Sequence, residues 1–370
     1  MSRRQDIPVV RWVLYAFATL QFIRFYVVST RFYLKMPAYL SGHERLPFQE
    51  RILPIILMWP INHWTALMQA IATRGRDPET SAAATPQTVA FYLLSLVAFS
   101  VAGFFTVKLY RAVTENGVLS SLVYPVFLVI SMWTYVIHID ANYSYPYDMP
   151  SLAFFTAGLY FIYTRQFAPL VAVMALGTLN RETTLFLIGI YMLDAASRPI
   201  EDPHTPISER FDLKAIPWLR VFSLALLWLA IKVALVLHFA GNSNAENYNR
   251  VIENAFRLKL RLLPSLLNIC AYLLPVVWIY RRRLTPIRFA NYLYILPLWF
   301  AVMFYTGVIL ETRIYGELSA YVAVAVVLLL EDHVAEWRSS QKQTRGKISV
   351  RHQAMPEARV LLSEQEMVAK

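Results

Sequence analysis

Long apolar runs separated by short polar breaks dominate the chain. The runs at 88–107, 120–137 and 217–238 each approach the ~20 residues that a helix needs to cross a hydrocarbon core of about 30 Å. A soluble core would break such runs with turns. Further spans are expected at 12–29, 150–163, 168–179, 185–195, 263–280, 291–309 and 315–330. The pattern predicts an all-α fold, a polytopic transmembrane helical bundle of about ten spans. The stretch 52–71 is apolar but interrupted by Pro54, Pro60, Asn62, His63 and Gln69. It is expected to lie as an interfacial helix in the first outer loop.

Loop charge orients the bundle, because basic loops favour the cytoplasmic side. With Arg3 and Arg4 inside, this order puts Lys108, Arg111, Arg165, Arg198, Arg210, Lys214 and the Arg281-Arg282-Arg283 run inside as well. Treating 52–71 as a full span would send the triple arginine outside. The interfacial placement leaves only Arg74 and Arg76 outside against the rule. Both termini are then cytoplasmic. Residues 1–331 form the membrane domain, and 332–370 form a basic tail with Lys342, Arg345, Lys347 and Arg351. That tail has few large apolar residues and is expected not to fold by itself.

Composition agrees: 57% of the 370 residues are hydrophobic and 16% are charged, too few to clothe a soluble surface. Tyrosine, phenylalanine and tryptophan are abundant, as rings at headgroup level would be. The net charge of +11 flanks apolar runs and so reports topology rather than nucleic-acid binding. The single cysteine, Cys270, excludes an intrachain disulfide. Arg3 and Arg4 precede a run too long for a signal peptide, read here as a retained first span. There is no glycine-rich phosphate loop. His138 and His333 stand far from any partner at ligand spacing, so no cofactor is expected and nothing supports a divalent metal.

In this topology the ionisable residues near span ends gather on the outer face. Glu44, Arg45, Glu50 and Arg51 lie in the first outer loop; Asp140, Tyr143, Tyr145, Tyr147 and Asp148 lie in the second. Arg181 and Glu182 sit between two short apolar segments, Glu246 and Arg250 lie in a fourth loop, and Glu311, Arg313 and Glu317 lie in the last. Arg181 and Glu182 are expected below the headgroups, either as a pair locking two short helices or as part of a substrate path. Asp148 is expected to cap a helix, with Pro150 in its first turn. Glu311, Arg313 and Glu317 fit a solvated turn as well as a site. The tyrosine alternation fits an interfacial aromatic belt.

Several arginines beside several carboxylates suit a phosphorylated lipid. Arginine holds phosphate bidentately, and a carboxylate can take a proton from an attacking hydroxyl. The segments Tyr147-Asp148-Met149-Pro150-Ser151, Leu179-Asn180-Arg181-Glu182-Thr183 and Glu311-Thr312-Arg313-Ile314-Tyr315, with the long first outer loop from Thr30 to Gln87, resemble the GT-C class of integral membrane glycosyltransferases. The resemblance implies transfer of a sugar from a polyprenyl-phosphate-linked donor, in a lipid bilayer, to an acceptor at the outer face of a bacterial inner membrane. It also implies a catalytic Asp in the first outer loop, which holds none before Asp77. Glu50 is therefore the expected base, with Asp148 as its substitute. Arg51, Arg181, Glu182, Glu311 and Arg313 are the expected substrate-binding residues. A transporter or flippase of a lipid-linked sugar and a polysaccharide polymerase are the competing readings, although no second broken segment matches the one at Asn180.

Overall fold

The computed structural model describes residues 7–64, 70, 85–114, 117–137, 143–200, 202, 205–246, 249–260 and 266–341. The chain forms two compact units, Met1–Val327 and Leu328–Lys370. In the first unit the main helices are α1 (Ile7–Arg24), α2 (Leu53–Asn62), α3 (Pro86–Val113), α4 (Val123–Met132), α5 (Asp148–Tyr163), α6 (Phe167–Asn180), α7 (Leu185–Ala196), α8 (Trp218–His238), α9 (Val251–Leu260), α10 (Leu273–Ile279) and α11 (Leu296–Thr306). Among the described residues the strands are β1 (Arg31–Phe32) and β2 (Tyr143–Ser144), paired in parallel. In the second unit residues 328–341 are helical. The part of the expected tail from 332 to 341 is therefore helix, and the remainder lies outside the described residues.

Six segments among the described residues are long and apolar enough to cross a membrane: Val9–Ser29, Pro86–Val113, Ser120–Ile137, Trp218–His238, Ile287–Thr306 and Thr312–Gln341. The protein is an integral membrane protein of the all-α class. Each of the six overlaps a run expected to span. Helices α5, α6 and α7 are shorter, at 16, 14 and 12 residues. Helix α5 is covered almost all round, from Asp148 through Gly158 to Ile162, and packs against α3, α6 and α7. A helix walled by protein needs no lipid-length apolar surface. Gly158 permits this closeness, since a Cβ there would stand 2.5 Å from Leu187 Cδ1 on α7.

One expected span is not a continuous helix. Within 263–280, Cys270, Ala271 and Tyr272 all have positive φ (52°, 61° and 63°). Left-handed backbone costs L-residues roughly 1–2 kcal/mol each and ends an α-helix, so regular structure resumes only at α10. Helix α2 leaves Ile56, Leu57 and Trp59 exposed, the apolar surface expected of a helix lying in an interface.

Polar contacts join the loops at each end. At one end β1 pairs with β2, the Leu46 N–H donates to the Asn244 carbonyl (2.8 Å), and Asn254 donates to the carbonyls of Phe304 and Gly307 (2.7 Å each). At the other, Arg288 pairs with Asp194 through Nε (2.7 Å) and Nη2 (2.6 Å), and its guanidinium lies 4.7 Å from the Tyr163 ring. Tyr292 donates to the same carboxylate.

Candidate functional site

The first of these ends carries a buried cluster of charge, assembled from five stretches of chain. Helix α1 widens into a π-turn at Phe25–Ser29, which holds Tyr26 inward; such bulges are often found at functional sites. Asp148 begins α5, and Arg181 ends α6 in an extended conformation (φ −164°, ψ 142°). Asn180 ties these two helix ends together by donating to the Tyr147 carbonyl (2.9 Å) and to Ser151 Oγ (2.8 Å). The 3₁₀ segments Phe48–Glu50 and Thr312–Leu318 bring Glu50, Arg313 and Glu317.

Asp148 is fully buried and does not cap its helix. Tyr147 occupies the cap position without a side-chain bond. The Asp148 carboxylate instead accepts from Tyr26 Oη (3.0 Å) and Arg313 Nη1 (3.4 Å), and Arg181 Nη1 stands at 3.8 Å. The expected Arg181–Glu182 lock is replaced by two other pairs. Glu182 binds Arg51 through Nη2 (2.6 Å) and Nε (3.3 Å), while Arg181 faces Asp148 and Glu317 Oε1 (3.5 Å). Extended backbone at Arg181 sends consecutive side chains to opposite sides. Burial works against ionisation of Glu182, yet Arg51, then Lys232 and Arg181, hold its carboxyl at about 2.

The turn Glu311 to Glu317 is buried rather than solvated. Arg313 pairs with Glu311 (2.5 Å) and lies 3.9 Å from the Tyr145 ring centre. Glu317 accepts from Thr183 Oγ1 (2.5 Å) instead of pairing with Arg313. Tyr145 and Tyr147 are also buried, so they are not an interfacial belt. Their rings carry the guanidiniums of Arg313, Arg51 (4.3 Å) and Arg181 (5.9 Å), a cation–π arrangement that strengthens once water is excluded.

Glu50 sits at the margin of this cluster, paired with Lys232 Nζ at 2.6 Å. Glu44 is spent on structure: Oε2 accepts from the Lys35 N–H (2.8 Å) and Oε1 from Arg45. The structure thus brings together Arg51, Asp148, Arg181, Glu182, Glu311 and Arg313, with Glu50 adjoining through Lys232. Asp140 lies outside the described residues.

Sequence reasoning passed over Lys232, Trp228 and Tyr26 and gave Glu317 the wrong partner. Lys232 is a cation deep in the apolar run 217–238, three turns in from Arg220 at its start, itself a sign of function. Trp228, one turn earlier on α8, donates from Nε1 to the Glu182 carbonyl (3.1 Å). Glu317 read as the partner of Arg313. Tyr26 looked like any other aromatic in a span.

Arg181 is the least satisfied cation. Its guanidinium is buried, makes no hydrogen bond within the described residues, and has an unpartnered Nε. With all groups ionised, the four cations and five carboxylates leave the cluster at about minus one by formal count. Such a site disfavours a multiply charged anion and suits a monoanionic phosphodiester, held through donors rather than net charge.

The fold and site define an integral membrane protein with a buried arginine–carboxylate cluster at one end of its helices. Compared with protein-family models, curated proteins and solved structures, the chain gives no match. The functional reading rests on the site itself.

Proposed function

We propose that the protein is a membrane glycosyltransferase that moves a sugar from a polyprenyl-phosphate donor to an acceptor at the outer face of a bacterial inner membrane. In this reading the chain crosses about ten times, with both termini cytoplasmic and the segment 263–280 crossing despite its broken helix. The observation that carries it is Arg181, a buried guanidinium without a hydrogen bond among the described residues, in one cluster with two better-paired arginines, Arg51 and Arg313. Arginine donors of this kind match the oxygens of a phosphodiester.

The reaction follows from the groups present. The acceptor O–H gives its proton to the Glu50 carboxylate, and its oxygen attacks the anomeric carbon. The bond from that carbon to the phosphate oxygen breaks. The phosphate leaves with the electron pair, and Arg51, Arg181 and Arg313 hold the new charge. Lys232 keeps Glu50 at the edge of the cluster. Asp148 faces both Arg313 and Arg181 and orients them.

The test measures donor binding and transfer separately with purified protein. A general base contributes about 10²–10⁴-fold, so Glu50→Gln should lose that much turnover and keep donor binding. Glu44→Gln should change transfer little, since the Glu44 carboxylate pairs only within its own loop, with Lys35 and Arg45. Normal turnover in Glu50→Gln rejects it as the base, and loss confined to Asp148→Asn moves that role to Asp148. Absence of transfer from any lipid-linked donor favours a transporter of the same lipid.

A further inference from the structure

Around the three arginines, Arg181 Nε, Arg313 Nε, the Tyr147 hydroxyl and Glu317 Oε2 are buried polar atoms with no hydrogen-bond partner within the described residues, as is the neighbouring amide oxygen of Asn180. A buried polar atom left unpaired opposes folding, so the set describes what a ligand must offer. The two N–H groups and the phenol can donate to phosphate oxygens. Glu317 Oε2, as a carboxylate oxygen, can only accept. A phosphodiester has nothing to give it, whereas a hydroxyl next to the phosphate does.

Glu317 differs from the other carboxylates of the site in this respect. Both oxygens of Asp148 and both of Glu182 are engaged, by Tyr26 and Arg313 in one case and by Arg51 in the other. Glu50 and Glu311 each hold a cation at 2.6 and 2.5 Å, and neither has a buried oxygen left unpaired. Glu317 Oε1 is anchored by Thr183 at 2.5 Å and faces Arg181 at 3.5 Å, which fixes where Oε2 lies. The carboxylate is therefore pre-oriented beside the guanidinium assigned to phosphate.

Resting on the proposed lipid-phosphate site, we propose that Glu317 accepts a hydrogen bond from a sugar hydroxyl of the donor and is the residue by which the site tells a glycosyl phosphodiester from a sugar-free one. The ligand class is then a lipid phosphodiester whose second ester is a sugar. The substrate-forming reaction is glycosylation of a lipid phosphate.

The probes are farnesyl phosphates esterified with mannose, glucose or arabinose, and methyl farnesyl phosphate, which has the same charge and no hydroxyl. Binding is measured with the full chain in nanodiscs. The wild type should prefer at least one glycosyl lipid over the methyl ester by about tenfold or more, the effect of one hydrogen bond to a charged group. Glu317→Gln removes a negative charge beside Arg181, so it should bind the methyl ester at least as tightly as the wild type and lose most of that preference. Thr183→Val, which leaves the carboxylate but frees Oε1, should lose part of it and stands in if Glu317→Gln does not fold. Equal binding of glycosyl and methyl esters by the wild type overturns the inference while the phosphate site stands. So does a preference kept by Glu317→Gln, or by Thr183→Val where it stands in. If the wild type binds none of these lipids, the phosphate site fails and the inference with it.

Discussion

A guanidinium inside a helical bundle must be paired, hydrated or bound, and Arg181 is only weakly paired. Its nearest carboxylate oxygens stand at 3.5 and 3.8 Å, at or beyond hydrogen-bonding range. Removing it should still cost stability, because Asp148 and Glu317 lose a shared counter-charge in a buried place. Breaking a buried pair can cost about 3–5 kcal/mol. Arg181→Ala should therefore lower the midpoint of thermal unfolding and abolish donor binding. Arg181→Lys keeps the charge without the planar fork, so it should unfold near the wild-type temperature and bind donor weakly. Full donor affinity in Arg181→Lys would remove bidentate phosphate binding from the account. Charges that interrupt apolar runs, such as Arg181, Asp148 and Arg313, were legible in the sequence as a group that gathers at one end of the helices. Their partners were not, because pairing depends on which way extended or 3₁₀ backbone turns each side chain. Adjacent Arg181 and Glu182 look like a pair in sequence and face different neighbours in space.

Helices respond to what surrounds them, and α5 and α8 are opposite cases. On α8, Val221, Leu224, Trp228, Lys232 and Leu235 form one inward stripe at helical spacing, while Phe222, Leu226, Leu229, Val233 and Val236 are exposed. Hydrophobicity alone marks such a helix as a span, and the stripe emerges only once Lys232 is given a partner. Helix α5 is enclosed, and its length in sequence says little about crossing a bilayer. Its close approach to α7 depends on Gly158. Gly158→Ala would put a methyl 2.5 Å from Leu187 Cδ1, and Leu187 is fully buried. Overpacking of this kind costs about 1–3 kcal/mol. Denaturation of Gly158→Ala in detergent should show a loss of that size, with donor affinity little changed in the folded fraction. An unchanged midpoint would mean that the α5–α7 contact is looser than the structure has it. The region around Cys270 misled for the converse reason: an apolar run need not be one helix, and the left-handed turn at 270–272 carries no glycine or proline to announce it.

Across the whole molecule, charge divides between two ends in different ways. The end with Arg51, Asp148, Arg181 and Arg313 mixes cations with carboxylates, and many of those side chains are buried. The other end carries an excess of basic residues, Arg165, Arg198, Arg210, Lys214 and Arg281 through Arg288, where Arg288 pairs with Asp194. Loops rich in basic residues mark the cytoplasmic side, so the mixed end should face outward. Cysteine labelling in intact cells tests this, with Cys270 replaced by serine and single cysteines placed at exposed positions. Asn244 and Ser243 are exposed next to the loop that meets Leu46, and Thr285 is exposed beside the triple arginine. Ser144 lies at the same end as the cluster, but it is buried and unsuited to labelling. Cysteine at Asn244 or Ser243 should react with an impermeant thiol reagent added to cells, and cysteine at Thr285 only after permeabilisation. The reverse pattern would put the arginine cluster on the cytoplasmic side, where a donor presented from outside could not reach Arg181.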